Sequence, residues 1–206
     1  PSAIDSDLFL GDAFNKNNIN GTIYLWTHNT AFTNNSYTQN DYAKYNLVGG
    51  TRTASAAVTG GATPTGKIAA GQGFFVEAKV AGNLKFNNLM RSGATITNAN
   101  TQFYKVATSK EKPKAKNRVW LNMGNTDGMF SQQLVGYFDA ATNGYDSGYD
   151  GLVSDAGNYI SFYSFINEDI YKIQGRATFN KEDQVRLGYF SSVSGIFNIN
   201  IDSKEG

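Results

Sequence analysis

The chain has 206 residues, 40 % of them hydrophobic and only 17 % charged, with 18 Lys and Arg against 17 Asp and Glu. That length suits one or two domains with a real core. A net charge of +1 excludes the electrostatic footprint expected for partners such as nucleic acid or an anionic membrane surface. With no cysteine, a disulfide scaffold and a Cys-based zinc site are excluded, and no apolar run is long enough to form a membrane span. The wealth of Asn, Thr, Ser and Gly, with 12 Tyr and 14 Phe, points to an extracellular β-protein, since aromatics favour strands.

In chain order, Asp5-Ser6-Asp7 predicts a capped helical turn that docks Leu8 and Phe9 on a sheet. Residues 15–21 are Asn-rich and end in Asn20-Gly21, a hairpin signal. Residues 22–27 alternate as a strand, Ile23 and Leu25 against Tyr24 and Trp26. Residues 29–46 read as a long polar and aromatic surface loop with one short helix or strand, and residues 47–66, rich in Gly, Ala and Thr, as loops of weak strand character. Residues 68–86 predict a hairpin: Phe74, Val76 and Ala78 alternate with Phe75, Glu77 and Lys79, Ala81-Gly82-Asn83 turns, and Leu84 and Phe86 return. Gly71-Gln72-Gly73 ahead of it marks a bulge or tight bend. A strand is expected at residues 102–106. Lys-Glu-Lys-Pro-Lys-Ala-Lys at 110–116 is the only charge run and reads as a solvated linker.

Residues 118–151 organise the second half. Val119, Leu121 and Met123 alternate with Trp120 and Asn122, Asn125-Thr126-Asp127-Gly128 is a turn, and residues 129–138 return as a strand. Residues 143–151 have almost no aliphatic side chain and read as a shaped loop. Further strands are expected at 159–165, 170–176, 184–190 and 196–202. Strand–turn spacing of this kind is the signature of an all-β sandwich or barrel. The fold expected is an antiparallel β-sandwich, jelly-roll or immunoglobulin-like, with few short helices. It divides into an N-terminal lobe over residues 1–109, a linker over 110–117 and a C-terminal lobe over 118–206, the two lobes packed together.

Several motifs carry a family resemblance. Arg118-Val119-Trp120-Leu121-Asn122, Gln133-Leu134-Val135-Gly136-Tyr137, Ala141-Thr142-Asn143-Gly144-Tyr145-Asp146 and Tyr149-Asp150-Gly151 are followed in order by three more. These are Ile160-Ser161-Phe162-Tyr163-Ser164, Ile173-Gln174-Gly175-Arg176 and Leu187-Gly188-Tyr189. This series resembles the "type C" sorting region of Bacteroidota secreted and surface proteins, the region recognised by the type 9 secretion system. Pro1-Ser2-Ala3-Ile4-Asp5, Trp26-Thr27-His28-Asn29-Thr30, Gly71-Gln72-Gly73-Phe74-Phe75-Val76 and Met90-Arg91 resemble the segment that often precedes it in flavobacterial proteins. The resemblance implies a protein exported across the outer membrane to the cell surface or medium, with the type 9 translocon and its shuttle protein as partners. The family has a Gly-Asn-Pro-Tyr lead-in and further strands toward its C-terminus, so the chain is expected to be a fragment.

The chemistry available is narrow. His28 is the only histidine, no Gly-x-Ser-x-Gly elbow surrounds any serine, and the residue set disfavours nucleophilic catalysis and transition-metal binding. The expectation is a non-enzymatic module. Asn143, Asp146, Asp150 and Asp155 lie in one Asn/Gly-rich stretch, where such residues either make turns or offer oxygens to calcium. A refined cation would favour calcium, and hydrogen bonds to backbone amides would favour turns. Loop aromatics Trp26, Tyr145 and Tyr149, with Tyr24, Tyr37 and Tyr42, are candidates for stacking on a glycan or packing on the sheet. Two functions follow: a cargo module in or beside a type 9 sorting region, or a carbohydrate-binding or adhesion module using loop aromatics and calcium.

Overall fold

The computed structural model describes residues 3–27, 32–33, 35–37, 41–53, 62–91, 117–153 and 159–206. His28, Asp155 and the expected strand and linker between residues 92 and 116 lie outside the described residues, as does the side chain of Tyr37. The chain begins with β1 (Ile4–Asp5), α1 (Ser6–Gly11), α2 (Ala13–Asn18), β2 (Ile19–Trp26), β3 (Phe32–Thr33), β4 (Ser36–Tyr37), β5 (Tyr42–Tyr45), β6 (Gly50–Thr51), β7 (Lys67–Ile68), β8 (Phe75–Ala78) and a 3-10 turn (Asn88–Arg91). The second half carries β9 (Asn117–Gly124), β10 (Phe130–Tyr137), β11 (Gly151–Leu152), β12 (Ile160–Ile166), β13 (Asp169–Arg176), β14 (Leu187–Ser191) and β15 (Asn198–Glu205). The fold is an all-β sandwich with two short helices among the described residues.

Two sheets dominate. The smaller runs β6-β5-β2-β8 and the larger β14-β12-β13-β10-β9-β15, with β11 on β13. The larger sheet is mixed rather than purely antiparallel, because β10 and β13 pair in parallel, Leu134 opposite Ile173. β12 pairs with β13 only at the tip of their hairpin, Ser164 to Ile166 against Asp169 to Tyr171. Beyond that tip it leaves β13 and crosses the face of β10, where the Phe162 amide donates to Ser131 Oγ at 2.9 Å. The β12–β14 pair therefore forms a second layer. Its Ile160 and Phe162 pack on Met123 of β9.

The N-terminal elements follow their caps. Asp5 accepts from the Asp7 amide at 2.8 Å and starts α1, and Asp12 accepts from the Phe14 amide at 3.0 Å and starts α2. Two expectations change here. Phe9 and Leu10, not Leu8, dock in the core with Ile19, Ile23, Tyr45, Ile68 and Met90, because α1 continues for a full turn past its cap. Residues 15–21 make no hairpin. They complete α2 and enter β2, where Gly21 at φ 77° sits in a register shift between Ile19 and Ile23.

The hairpin expected at 68–86 is also different. β8 pairs with β2, and the chain after it does not return as a strand. The buried Asn15 amide takes the place of a partner: its Oδ1 accepts from the Lys85 amide at 2.8 Å and its Nδ2 donates to the Lys85 carbonyl at 2.9 Å. The same Nδ2 donates to Phe9 O at 3.0 Å, so one amide ties α1, α2 and residues 83–87 together. Gly71 at φ 81° lies in a tight bend closed by the Gln72 amide on Ala69 O.

The lobes meet through a strap, residues 48–52, laid across one face of β9, β10 and β15. Val48 is fully buried among Trp120, Leu134 and Ile173. Arg118 Nη1 donates to Val48 O at 2.8 Å and Trp120 Nε1 to Gly50 O at 2.9 Å, and the Arg52 amide donates to Gln132 Oε1 at 3.1 Å. Arg52 also pairs with Asp202 at 2.5 Å, which in turn accepts from Asn122 Nδ2 at 2.8 Å. Arg118, Trp120 and Asn122 share that face by strand alternation.

Candidate functional site

The loop after β10, residues 139–151, buckles the two lobes together. The Leu47 amide donates to Gly148 O at 2.8 Å, and Lys79 Nζ donates to Ser147 Oγ at 2.7 Å. A Cβ on Gly21 would collide with the Gly148 backbone, so this close crossing needs glycine at position 21 for room as well as for its φ.

Each described acidic or amide side chain of the loop makes a hydrogen bond within the loop or to β13 and the residues just after it. Asp146 Oδ2 accepts from the Thr142 amide at 2.5 Å and from Thr142 Oγ1 at 2.9 Å. Asp150, 1 % exposed, accepts from the Asp146 amide at 2.6 Å and, through its other oxygen, from the Gly175 amide of β13 at 2.9 Å. Asn143 Oδ1 accepts from the Ala177 amide at 3.3 Å, and Asp139 Oδ1 accepts from Thr178 Oγ1 at 2.7 Å. Among the described residues no group of three or more His, Cys, Asp or Glu is placed to hold a metal ion. Asn143, Asp146 and Asp150 each accept from a backbone amide, Asp146 and Asp150 from within the loop and Asn143 and Asp150 from Ala177 and Gly175.

Asp150 is electrostatically the most displaced of these groups. Burial pushes its carboxyl up to about 7; the two backbone amides pull the other way, Asp146 adds to the rise and Arg176 opposes it. Arg176 is held by Asp183 through two contacts at 2.7 and 2.6 Å. That pairing keeps Asp183 below the usual carboxylate range, chiefly by the guanidinium hydrogen bonds.

The three ligand candidates do not converge. Tyr149 packs on Phe138 beside the strap core, and Tyr145, 44 % exposed, leans on Tyr171 at 6.0 Å between ring centroids. Trp26 lies at the far end of β2, about 17 Å along the strand from the Gly21 crossing. There, 40 % exposed, it packs edge-on against Tyr42 at 5.1 Å, and Tyr42 in turn against Phe75 at 5.8 Å. Tyr24 is core, as is Trp120. Alternation in 74–79 placed Phe75 opposite the core-facing Phe74; its proximity to Tyr42 depends on β5 and β8 flanking β2, which no local pattern reports.

A buried polar seam lies where β12 crosses β10 and β13. Lys172 Nζ donates to Ser131 Oγ and, at 3.2 Å, to Phe162 O; Gln133 Nε2 donates to Ser164 Oγ at 3.0 Å. Gln133 Oε1 and Gln174 Oε1 are buried acceptors with no hydrogen-bond partner. The Lys172–Ser131 contact has the residue types of a Ser–Lys dyad, but both residues are buried and the serine oxygen already accepts from the Phe162 amide. Its work here is to join layers. A cavity of about 10 Å³ beside Ser6, Tyr45 and Pro64 has room for one water.

These features define an all-β sandwich whose two main sheets are tied by residues 48–52, with the described loop carboxylates hydrogen-bonded internally. The chain belongs to the family described as Domain of unknown function (DUF8693), whose model matches residues 1–206. No curated protein matches the chain. No solved structure matches it.

Proposed function

We propose that this chain is a non-enzymatic β-module of a protein exported by the type 9 secretion system, in or beside its C-terminal sorting region. The observation that carries this reading is the ordered motif series resembling that region. Its members fall on consecutive parts of one construction: residues 118–122 on β9, 133–137 on β10, 141–151 in the buckling loop, and the rest on β12, β13 and β14. A stable β-module of low charge, with its loop carboxylates tied internally, suits a cargo or stalk role. The test is to tag the natural protein in its own host and follow it with and without the type 9 translocon. Surface or medium localisation that turns to periplasmic retention in the deletion strain is expected; the same location in both strains overturns the reading.

A second reading, a carbohydrate-binding or adhesion module, is favoured by the exposed Trp26–Tyr42–Phe75 cluster. Aromatic faces in such a group stack on apolar sugar faces. On a glycan array, Trp26→Ala is expected to abolish any binding shown by the wild type, and binding unchanged by that substitution removes the cluster from the reading.

A further inference from the structure

The chain has two Asn-Gly steps, Asn20-Gly21 and Asn143-Gly144. In such a step the backbone nitrogen of the glycine can attack the asparagine side-chain carbonyl, because no Cβ on the second residue crowds the approach. The two steps sit in opposite surroundings. Asn20-Gly21 lies inside β2, and Gly21 packs so closely on the Gly148 backbone that not even a Cβ would fit. Asn143 and Gly144 are exposed in the loop after β10. There a Cβ on Gly144 would come no nearer than 3.6 Å to its nearest neighbour, Thr142 Oγ1.

Around Asn143-Gly144 the loop places a partner for each group that such an attack needs. The Gly144 amide, which must lose its proton to become a nucleophile, donates to Thr142 Oγ1 at 3.1 Å. The Thr142 hydroxyl donates in turn to Asp146 Oδ2 at 2.9 Å, so a proton leaving Gly144 reaches a carboxylate through one hydroxyl. On the other side, Asn143 Oδ1 accepts from the Ala177 amide at 3.3 Å. That N–H faces the oxygen on which negative charge develops when the carbonyl is attacked. Nucleophile, base and oxyanion donor thus meet at one asparagine.

We propose that Asn143 is a site of self-catalysed deamidation, in which the Gly144 nitrogen closes on the Asn143 side-chain carbonyl with Thr142 as the catalytic hydroxyl. The Gly144 N–H proton passes to Thr142 Oγ1 as the Thr142 proton passes to Asp146, and a bond forms between Gly144 N and Asn143 Cγ. The Cγ–Nδ2 bond then breaks, and the amide nitrogen leaves as ammonia with the proton returned by the same path. One water opens the remaining five-membered imide at either carbonyl, giving aspartate or isoaspartate at position 143. Asp146 touches none of the reacting atoms; it orients the hydroxyl and holds the proton. Both products add a negative charge to the loop, and isoaspartate adds a methylene to its main chain. The same loop carries Gly148, whose carbonyl accepts from the Leu47 amide, so the reaction alters the loop that joins the two halves of the chain. The inference is independent of the export reading, and its failure leaves that reading untouched.

Incubation of the purified chain at neutral pH tests it, with peptide mass spectrometry that separates asparagine, aspartate and isoaspartate. A fixed backbone ordinarily slows this ring closure. Here the folded chain is expected to convert Asn143 at least about tenfold faster than the same chain unfolded in urea, while Asn20 stays intact in the folded chain. Thr142→Val, which keeps the side-chain shape, is expected to slow the folded-state reaction at least about tenfold, and Thr142→Ser, which keeps the hydroxyl, to restore it. Asp146→Asn is expected to slow the reaction too, with the rate recovered by added formate, a carboxylate small enough to reach an exposed loop. Gly144→Ala, which the open space accepts, is expected to slow it with the circular dichroism unchanged. A folded chain that converts Asn143 no faster than the unfolded one overturns the proposal. So does a Thr142→Val rate equal to the wild type, a Thr142→Ser variant as slow as Thr142→Val, or an Asp146→Asn rate that formate leaves unchanged.

Discussion

Asp150 shows how one side chain can hold a loop and make stability depend on pH. Its two oxygens accept from amides on separate segments, Asp146 in the loop and Gly175 on β13, while burial lifts its carboxyl from 3.8 to about 7. Below pH 3.8 the group is protonated folded and unfolded alike. Between those values the unfolded chain releases the proton and the folded chain keeps it, so stability falls as pH rises and the loss is complete above 7. The melting temperature is expected to drop from pH 5 to pH 8. In Asp150→Asn that slope disappears. The variant is also less stable at pH 5 by about 1–3 kcal/mol, because an amide nitrogen cannot accept from the second backbone N–H. Parallel slopes in the two proteins would remove Asp150 as the source. Asp183 works in the opposite sense: held low by Arg176, it stabilises the fold above the ordinary carboxylate range, and that contribution is lost as pH falls.

At the scale of elements, local pattern was legible where one face of a strand is buried and one is not. The alternation of 119–123, the Asn125 turn and the returning strand appear where residue types place them: Asn125 Oδ1 accepts from the amides of Asp127 and Met129, each at 3.0 Å. The second-half strands likewise lie within a few residues of their expected positions. Legibility fails where a distant group decides the local conformation. Asn20-Gly21 has hairpin chemistry, but Gly21 serves a bulge that lets β2 cross Gly148. Leu84 and Phe86 have strand chemistry, but the Asn15 amide occupies the backbone groups of Lys85 that a strand partner would need. The helix caps Asp5 and Asp12 both lie in the sequence; the first stands alone as a helix signal, and the second competes with the Asn20-Gly21 turn signal that follows it.

For the whole molecule, the strap at residues 48–52 joins the N-terminal elements to β9, β10 and β13. Val48 is buried in a cluster otherwise drawn from β9, β10 and β13, and the strap's backbone groups are met by Arg118, Trp120 and Gln132. One cooperative calorimetric transition is expected for the wild type. Val48→Asp buries an unpaired carboxylate in that cluster and is expected to lower stability by about 3 kcal/mol or more and split the transition in two. A single transition shifted downward without splitting would mean that contacts other than the strap, such as the 139–151 loop, couple the lobes by themselves.

By itself the sequence determined the all-β class, most strand positions, the turns that separate them and the exclusion of cysteine chemistry, because alternation, caps and Asn/Gly steps act over a few residues. Tertiary structure alone decided the parallel pairing of β10 with β13 and the passage of β12 over β10. It also decided the burial of Lys172, the convergence of Trp26 with Phe75, the separation of Trp26 from Tyr145, and the pairing of Asn143 with the Ala177 amide. Each of these depends on which strands become neighbours, and that is set by closure of the whole core, a sum over contacts distant in sequence that no local pattern encodes.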